Sequence, residues 1–374
     1  MKKTIHIFVL CLMAVSVFAA CSNGTKNIES KATDSTVETA TEDSVAQKDL
    51  PFTIAMVGDI MMGTTYPKNE HNLTADDGAS LFVDAAPILK KADIAAGNLE
   101  GCMFDGEGKV KPCYNPKRFF AFKMPERYSK HLVEAGFDFV GLANNHINDF
   151  GPEALEGTQR VLESAGLAYA GISEKKPTAI IEKDYRKIGF AAFGFDDGMP
   201  SINNFNEIAE LVSGLKKECD FVVVSFHGGG EGEAFQHVPH KKEITSKDRG
   251  DVEKFAHAAI DAGADVIYGH SPHVTRALEL YKDRIIFYSL GNFCTPYRFI
   301  VEGVRSFAPI AEATLNPDGS FSHGKIHSFL QTRGVGPRKD PNNGAAKKMR
   351  ELTKSDFPAT PLQISDEGDI TILK

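Results

Sequence analysis

The sequence predicts an α/β protein with a layered core and mixed sheets, and three observations point there. Apolar runs of strand length alternate with helix-spaced segments through the first two-thirds of the 374 residues. The last third is mostly strand. Five of the apolar runs end in Asp, Glu, Asn or His, at the strand ends where open α/β sheets bind ligands.

Phe52–Val57 is the first strand and leads into Gly58-Asp59. Ser80–Ala92 has helical spacing, and Asp93–Gly97 is the next strand, continuing into Asn98-Leu99-Glu100. Glu126–Ala135 reads as a helix and Phe137–Leu142 as a strand ending near Asn144-Asn145-His146. Pro152 marks a helix start and Gly166 a helix stop, so Pro152–Ala165 is a helix. Lys187–Phe193 is a strand and Ile202–Lys217 a helix. Phe221–Phe226 is an apolar strand buried on both faces, running into His227 and Glu231. Asp251–Ala262 is a helix, and Val266–Tyr268 a strand leading to His270 and His273. Ala277–Tyr281 and Ile285–Ser289 form a hairpin across Lys282-Asp283-Arg284. Ile310–Leu315 and Ser322–Phe329 flank the turn Asn316-Pro317-Asp318-Gly319.

The ends of the chain carry different signals. Lys2 and Lys3 precede the apolar run Ile5–Val17, and Ala19-Ala20 precede Cys21, which reads as a bacterial export signal over residues 1–20. Phe18-Ala19-Ala20-Cys21 resembles a lipoprotein cleavage site, although Phe18 departs from the usual aliphatic residue. Cys21 is then the lipidated N-terminus, and the protein is exported and anchored on the cell membrane or the outer membrane. Residues 21–49 are polar and free of aromatics, and read as a disordered tether. One domain is expected over residues 50–335, with residues 336–374 as an extension packing on it. The whole chain carries 42 basic and 50 acidic residues. Loss of Lys2 and Lys3 with the signal leaves 40 against 50, a net of −10, which argues against nucleic acid as a partner. Cys102 and Cys113 flank a Gly-rich loop and are a candidate disulfide in an exported protein. No CxxC occurs, so a zinc ribbon is excluded.

Carboxylates, amides and imidazoles at strand ends are the donors that hold divalent cations, and the pattern points to a metal-dependent hydrolase. Six segments carry a family resemblance. They are Gly58-Asp59-Ile60-Met61-Met62-Gly63, Asn98-Leu99-Glu100-Gly101, Ala143-Asn144-Asn145-His146, His227-Gly228-Gly229-Gly230-Glu231, Gly269-His270-Ser271-Pro272-His273-Val274 and Tyr288-Ser289-Leu290-Gly291-Asn292-Phe293. In this order, across about residues 52–300, they resemble signatures of the CapA family, named for capsule and poly-γ-glutamate synthesis. That family resembles the calcineurin-like metallophosphoesterases. The resemblance implies a four-layer α/β/β/α sandwich with mixed sheets and a centre of one or two divalent metal ions, with Mn, Fe, Zn and Mg not distinguished.

The resemblance assigns metal-ligand roles to Asp59, Glu100, Asn145, His227, His270 and His273, with Glu100 at the place of the metal-bridging carboxylate. It places His146 at the leaving group. Asp149 either orients His146 or caps the helix that begins near Pro152. Glu231 is either a partner fixing a histidine tautomer or a substrate contact. Asn292 is a candidate substrate-binding residue, and Arg276, Arg298 and Arg305 are candidates for holding an anionic group. Two departures stand out: Met61 occupies the position of the usual second ligand of the first motif, and Gly228 replaces the usual Trp. The expected partners are an anionic polymer or phosphoester substrate, a membrane synthase complex, and the membrane itself through the lipid anchor. Two functions follow. One is a hydrolase or phosphoesterase acting on or supporting synthesis of an anionic surface polymer. The other is a non-catalytic, membrane-tethered accessory protein that binds polymer and synthase. A serine hydrolase finds no Gly-x-Ser-x-Gly elbow.

Overall fold

The computed structural model describes residues 50–67, 72–116 and 119–373. All of these belong to the second of the chain's two compact units, Thr41–Lys374. The export signal, Cys21 and the tether lie outside the described residues.

In chain order the first half contains β1 (Phe52–Ile60), α1 (Ala86–Leu89), β2 (Ile94–Leu99), β3 (Cys102–Met103), β4 (Lys123–Met124), α2 (Ser129–Ala135), β5 (Phe139–Gly141), α3 (Gly151–Ser164), β6 (Ala168–Ala170), β7 (Thr178–Lys183) and β8 (Arg186–Phe193). Next come α4 (Phe205–Glu218), β9 (Phe221–His227), α5 (Val252–Asp261), β10 (Val266–His270), β11 (Leu278–Tyr281), β12 (Arg284–Phe287) and β13 (Asn292–Cys294). The last stretch holds β14 (Ile310–Leu315), β15 (Phe321–His327), β16 (Phe329–Thr332), β17 (Val335–Lys339), α6 (Gly344–Asp356), β18 (Leu362–Ile364) and β19 (Asp369–Ile372).

Two mixed sheets make the core. The first runs β18-β19-β15-β14-β1-β2-β5-β6, and β13 takes over from β14 beside the end of β1. The second runs β11-β12-β10-β9-β8-β7. Val57, Phe139 and Val140 of the first sheet share one apolar cluster with Phe190, Val223 and Tyr268 of the second. Phe139 and Phe190 stack across the gap with ring centroids 4.2 Å apart. On the far face of the second sheet, Val222, Val224 and Ile267 pack with Ile208 and Val212 of α4, Phe255 of α5 and Leu352 of α6. Leu89, Leu132 and Leu162 bring α1, α2 and α3 onto the first sheet. The result is the expected four-layer α/β/β/α sandwich. Period-2 strands buried on both faces need apolar residues throughout, and β9 is buried at every position.

Local chemistry explains the boundaries. Asn204 and Asp251 cap α4 and α5, accepting from Glu207 N and Lys254 N. The expected helix over Ser80–Ala92 shortens to α1, because Pro87 lacks an N–H and is tolerated only in a first turn. Lys282 and Asp283 both take positive φ, so the β11–β12 hairpin closes on a two-residue turn. The expected extension over residues 336–374 is, in its described part to residue 373, woven in instead of laid on: β19 pairs with β15, so β18 and β19 extend the first sheet.

Candidate metal centre

Register places the site. Asp59 lies opposite Asn98 on one side and Asn292 on the other, at the carboxyl end of β1. His270 lies opposite His227 at the ends of β10 and β9. The ladder of β1 is irregular on both sides of Asp59, which turns the strand end out of the regular pleat. Gly58 permits this, since a Cβ there would stand 1.9 Å from the Gly291 carbonyl oxygen.

Two groups of donors converge, and both contain Asp59. One is Asp59 with His227 and His270; the other is Asp59 with Glu100 and His273. The carboxylate common to both groups is Asp59, whereas the family resemblance gives the metal-bridging place to Glu100. Asp59, Glu100 and His227 are wholly buried. In the first group each imidazole has an outer partner. His270 Nε2 lies 2.9 Å from Ser225 Oγ, and His227 Nε2 lies 2.9 Å from Asn145 Oδ1. Asn145 Oδ1 can only accept, so His227 carries its proton on Nε2 and turns an Nδ1 lone pair inward, 2.8 Å from His270 Nδ1, with Asp59 Oδ1 3.6 Å from His270 Nδ1. An inward lone pair, a second imidazole nitrogen and a buried carboxylate at one point suit a cation.

In the second group, Asp59 Oδ2 and Asn292 Oδ1 both lie 3.0 Å from His273 Nδ1, whose N–H they share. Asn98 Nδ2 donates to Asp59 Oδ1 at 2.8 Å and to Glu100 Oε2 at 3.1 Å. Glu100 Oε1 is sealed from solvent without a hydrogen-bond partner among the described residues. His146 Nε2 lies 3.9 Å and His273 Nε2 4.0 Å from it. A buried, unsatisfied carboxylate oxygen among imidazoles also fits a divalent cation.

The electrostatics agree with this geometry. Burial opposes charge on Asp59, but the His273 hydrogen bond and the His273 and His270 charges outweigh it and hold the carboxyl far below its ordinary range. Burial, then the Asp59 charge, pushes Glu100 well above the usual value. Burial, then the charge of His270, holds His227 well below an ordinary imidazole. Burial brings His270 down to about 4 against the pull of Asp59. Burial also acts to lower His273, yet the hydrogen bond and charge of Asp59 raise it overall.

His146 stands beside these donors. Its Nδ1 lies 2.7 Å from Asp149 Oδ2, which also accepts from Phe122 N at 2.8 Å. Lys111 Nζ is 2.5 Å from the other carboxylate oxygen. The cap of α3 is Phe150, with no side-chain bond, so Asp149 orients His146 and does not cap the helix. Nε2 is thereby turned toward Glu100, and the Phe122 ring lies 4.3 Å from the imidazole.

Other candidates fall elsewhere. Arg276 is fully buried and binds Glu243 through Nη1 and Nη2 at 2.8 Å each, with Nε donating to the Phe235 carbonyl. It is spent inside the protein, where it braces the Gly229–Gly230 loop, and is not open to a substrate. Gly229 (φ +82) makes room for it, since a Cβ there would meet Arg276 Nη1 at 2.6 Å. Glu231 has no hydrogen bond or ion pair to a histidine among the described residues; it pairs with Arg249 at 2.8 Å. Asn292 is buried and reaches the site through His273. Met61 is buried and its N–H bonds to the Cys294 carbonyl. Cys102 is buried, Cys113 is exposed, and both are free thiols. The sequence reading missed Asn98, Asn144 and Ser225. Asn144 Nδ2 donates to Asn98 Oδ1 at 3.0 Å and so supports the amide that bridges the carboxylates. The strand-end position of Asn98, immediately before Leu99-Glu100, was the available signal for it.

These directions carry a sign. Glu100 and His273 hold their protons to higher pH than ordinary side chains, and a cation needs both groups deprotonated. Cation uptake therefore expels protons, and affinity rises with pH as these two groups titrate. Calorimetric titration of Mn(II) or Zn(II) near neutral pH should give heats that depend on the buffer's ionisation enthalpy. Buffer-independent heats would contradict the assignment.

Residues 53–297 match the family described as bacterial capsule synthesis protein PGA_cap. The chain is 32% identical over 260 residues to the capsule biosynthesis protein CapA of Bacillus anthracis, covering 65% of this chain and 59% of that one. It is 28% identical over 308 residues to the PGA biosynthesis protein CapA of Bacillus subtilis (strain 168), covering 78% and 73%. Among solved structures, a hypothetical protein from Thermus thermophilus is similar with a TM-score of 0.48 and 18% identity, over 75% of this chain and 100% of that one. A 5′-nucleotidase precursor from the same organism has a TM-score of 0.44 and 11% identity, over 77% and 56%. With the family match spanning well over half of its length, this chain belongs to the bacterial capsule synthesis protein (PGA_cap) family.

Proposed function

We propose that this protein is a divalent-metal-dependent hydrolase, exported and lipid-anchored, that works on an anionic surface polymer of the capsule or poly-γ-glutamate type or supports its synthesis. The observation that carries this reading is the sharing of Asp59 between two donor groups, with His146 turned toward them. Asp59, His227 and His270 would hold one cation, and Asp59, Glu100 and His273 a second. Such ions polarise a phosphoryl or carbonyl oxygen and offset the negative charge that develops on it. His146, fixed by Asp149, is placed to give a proton from Nε2 to a departing oxygen or nitrogen. The mixed imidazole and carboxylate donors suit Mn, Fe or Zn, with Mg at the carboxylate-rich group. Because the chain is acidic overall, an anionic polymer would be held by local groups and not by the general field.

One observation favours a second reading, a tethered accessory protein that binds polymer and a membrane synthase. Met61 puts a buried thioether where the resembled superfamily supplies an imidazole, and a thioether is a poor ligand for these cations. Metal content measured together with hydrolysis of phosphoesters and γ-glutamyl amides separates the two. Less than one ion per chain and no turnover on either class supports the accessory role.

Loss of a partner behind a ligand weakens metal binding by about 10–100-fold, and loss of the ligand itself should exceed that. His227→Ala and His270→Ala are each expected to lose the ion at their shared position while keeping the fold, and Met61→His to raise occupancy. Metal analysis by mass spectrometry on the wild type and the three variants checks this. Unchanged occupancy in both alanine variants would make these histidines structural.

The anchor is tested separately. Cys21→Ser is expected to move the protein from the membrane fraction to the soluble fraction. Retention of the variant on membranes after signal cleavage would contradict lipidation.

A further inference from the structure

Arg249 has no place in the metal centre as described above, yet its guanidinium lies at the centre's edge. The residue is 6% exposed. Nε donates to the Gly229 carbonyl and Nη2 donates to Ser271 Oγ at 2.5 Å. It therefore spans the loop after His227 and the loop between His270 and His273. The guanidinium sits over the Phe195 ring at 4.3 Å, and Phe195 in turn stacks on His227 at 5.7 Å. Ser271 adjoins His270 and Gly229 follows His227 by two residues, so the guanidinium is tied to both histidine-bearing loops.

The only carboxylate paired with this buried cation, among the described residues, is Glu231 at 2.8 Å, and that side chain is 45% exposed. Glu231 stands on a glycine-rich loop, with Gly229 and Gly232 both at positive φ. No protein acceptor is present at Arg249 Nη1 among the described residues. A buried arginine whose counter-ion side chain is half in solvent has the form of an exchangeable seat. Guanidinium groups pair with phosphoryl and carboxylate oxygens, as this one now pairs with the Glu231 carboxylate.

We propose that Arg249 is the oxyanion-binding residue of this site, and that Glu231 is a displaceable stand-in for a phosphoryl or carboxylate oxygen of the substrate. This rests on the reading of the site as a substrate-processing metal centre. Substrate binding exchanges one ion pair for another, with no bond made or broken, and swings Glu231 toward solvent. The seat lies next to the donors, so the oxyanion it holds is on or adjacent to the reacting group. It selects a chemical class that the family resemblance leaves open between phosphoesters and γ-glutamyl polymers.

The test uses the full chain loaded with Mn(II), with metal content measured in every sample. Inorganic phosphate and γ-linked triglutamate are titrated by calorimetry. Glu231→Gln removes the competing charge and should tighten the probe that fits the seat by roughly threefold to tenfold. Arg249→Lys, which keeps the charge but loses the planar fork, should weaken it by about tenfold or more at unchanged metal content. An effect confined to phosphate assigns the seat to a phosphoryl group, and an effect confined to triglutamate assigns it to a carboxylate. Equal affinity of wild type and Glu231→Gln for both probes, or weaker binding in Glu231→Gln, overturns the proposal. So does a fully metal-loaded wild type that binds neither probe. If Arg249→Lys does not fold or does not load metal, Glu231→Gln alone decides. A wild type that takes up no metal sinks the hydrolase reading instead, and this inference with it.

Discussion

A single buried carboxylate organises this molecule. Asp59 is sealed from water, and a bare carboxylate in that position would cost several kcal/mol, so its neighbours must compensate it. Asn98 donates to one oxygen, His273 to the other, and His270 stands close by. The strand that carries Asp59 pairs with β14 along its first part and lies between β2 and β13 at its carboxyl end, so three chain segments, β1, β2 and β13, meet there. The second sheet packs against the first so that β9 and β10 deliver His227 and His270 to the same point. The sandwich and the centre are thus one construction: slippage of either sheet by a residue would turn these donors to the opposite face.

The loops around the centre are held by charge as well as by backbone. Arg276 and Glu243 form a buried, bidentate pair beneath the glycine-rich loop, and Glu243 Oε1 also accepts from Gly230 N at 2.9 Å. Above it, Arg249 ties the same loop to the turn bearing Ser271 and His273, both at positive φ. That turn is held away from ordinary backbone geometry by its surroundings, as is common where side chains must be aimed. One loop is therefore rigid on its inner side, at Arg276, and open on its outer side, at Glu231.

Much of this was legible in the sequence, for a physical reason. Asp59, His227 and His270 each follow directly on an apolar strand, so finding the strand finds the donor. The layered α/β core followed from alternation of helix and strand periods, and its four layers were what the family resemblance implied. What failed depended on long-range contacts. Arg276 looked available for an anion, because its partner Glu243 lies 33 residues away and nothing local reveals the pair. Arg249 drew no notice, since it sits in an irregular stretch and acquires meaning only by touching two loops. The role of Asp149 was balanced between capping and orientation until the 2.7 Å contact with His146 decided it. The strands β18 and β19 are short and carry no continuous apolar run, so their place in the first sheet was invisible. Glu100 was given the bridging role by resemblance, whereas the carboxylate common to both donor groups is Asp59.

The most direct measurement is anomalous X-ray diffraction from crystals of the protein grown with Mn(II). The account predicts two anomalous peaks, with Asp59 oxygens touching both, His227 and His270 on one, and Glu100 and His273 on the other. Peaks bridged by Glu100 with Asp59 on one alone, or no peak within reach of these residues, would contradict it.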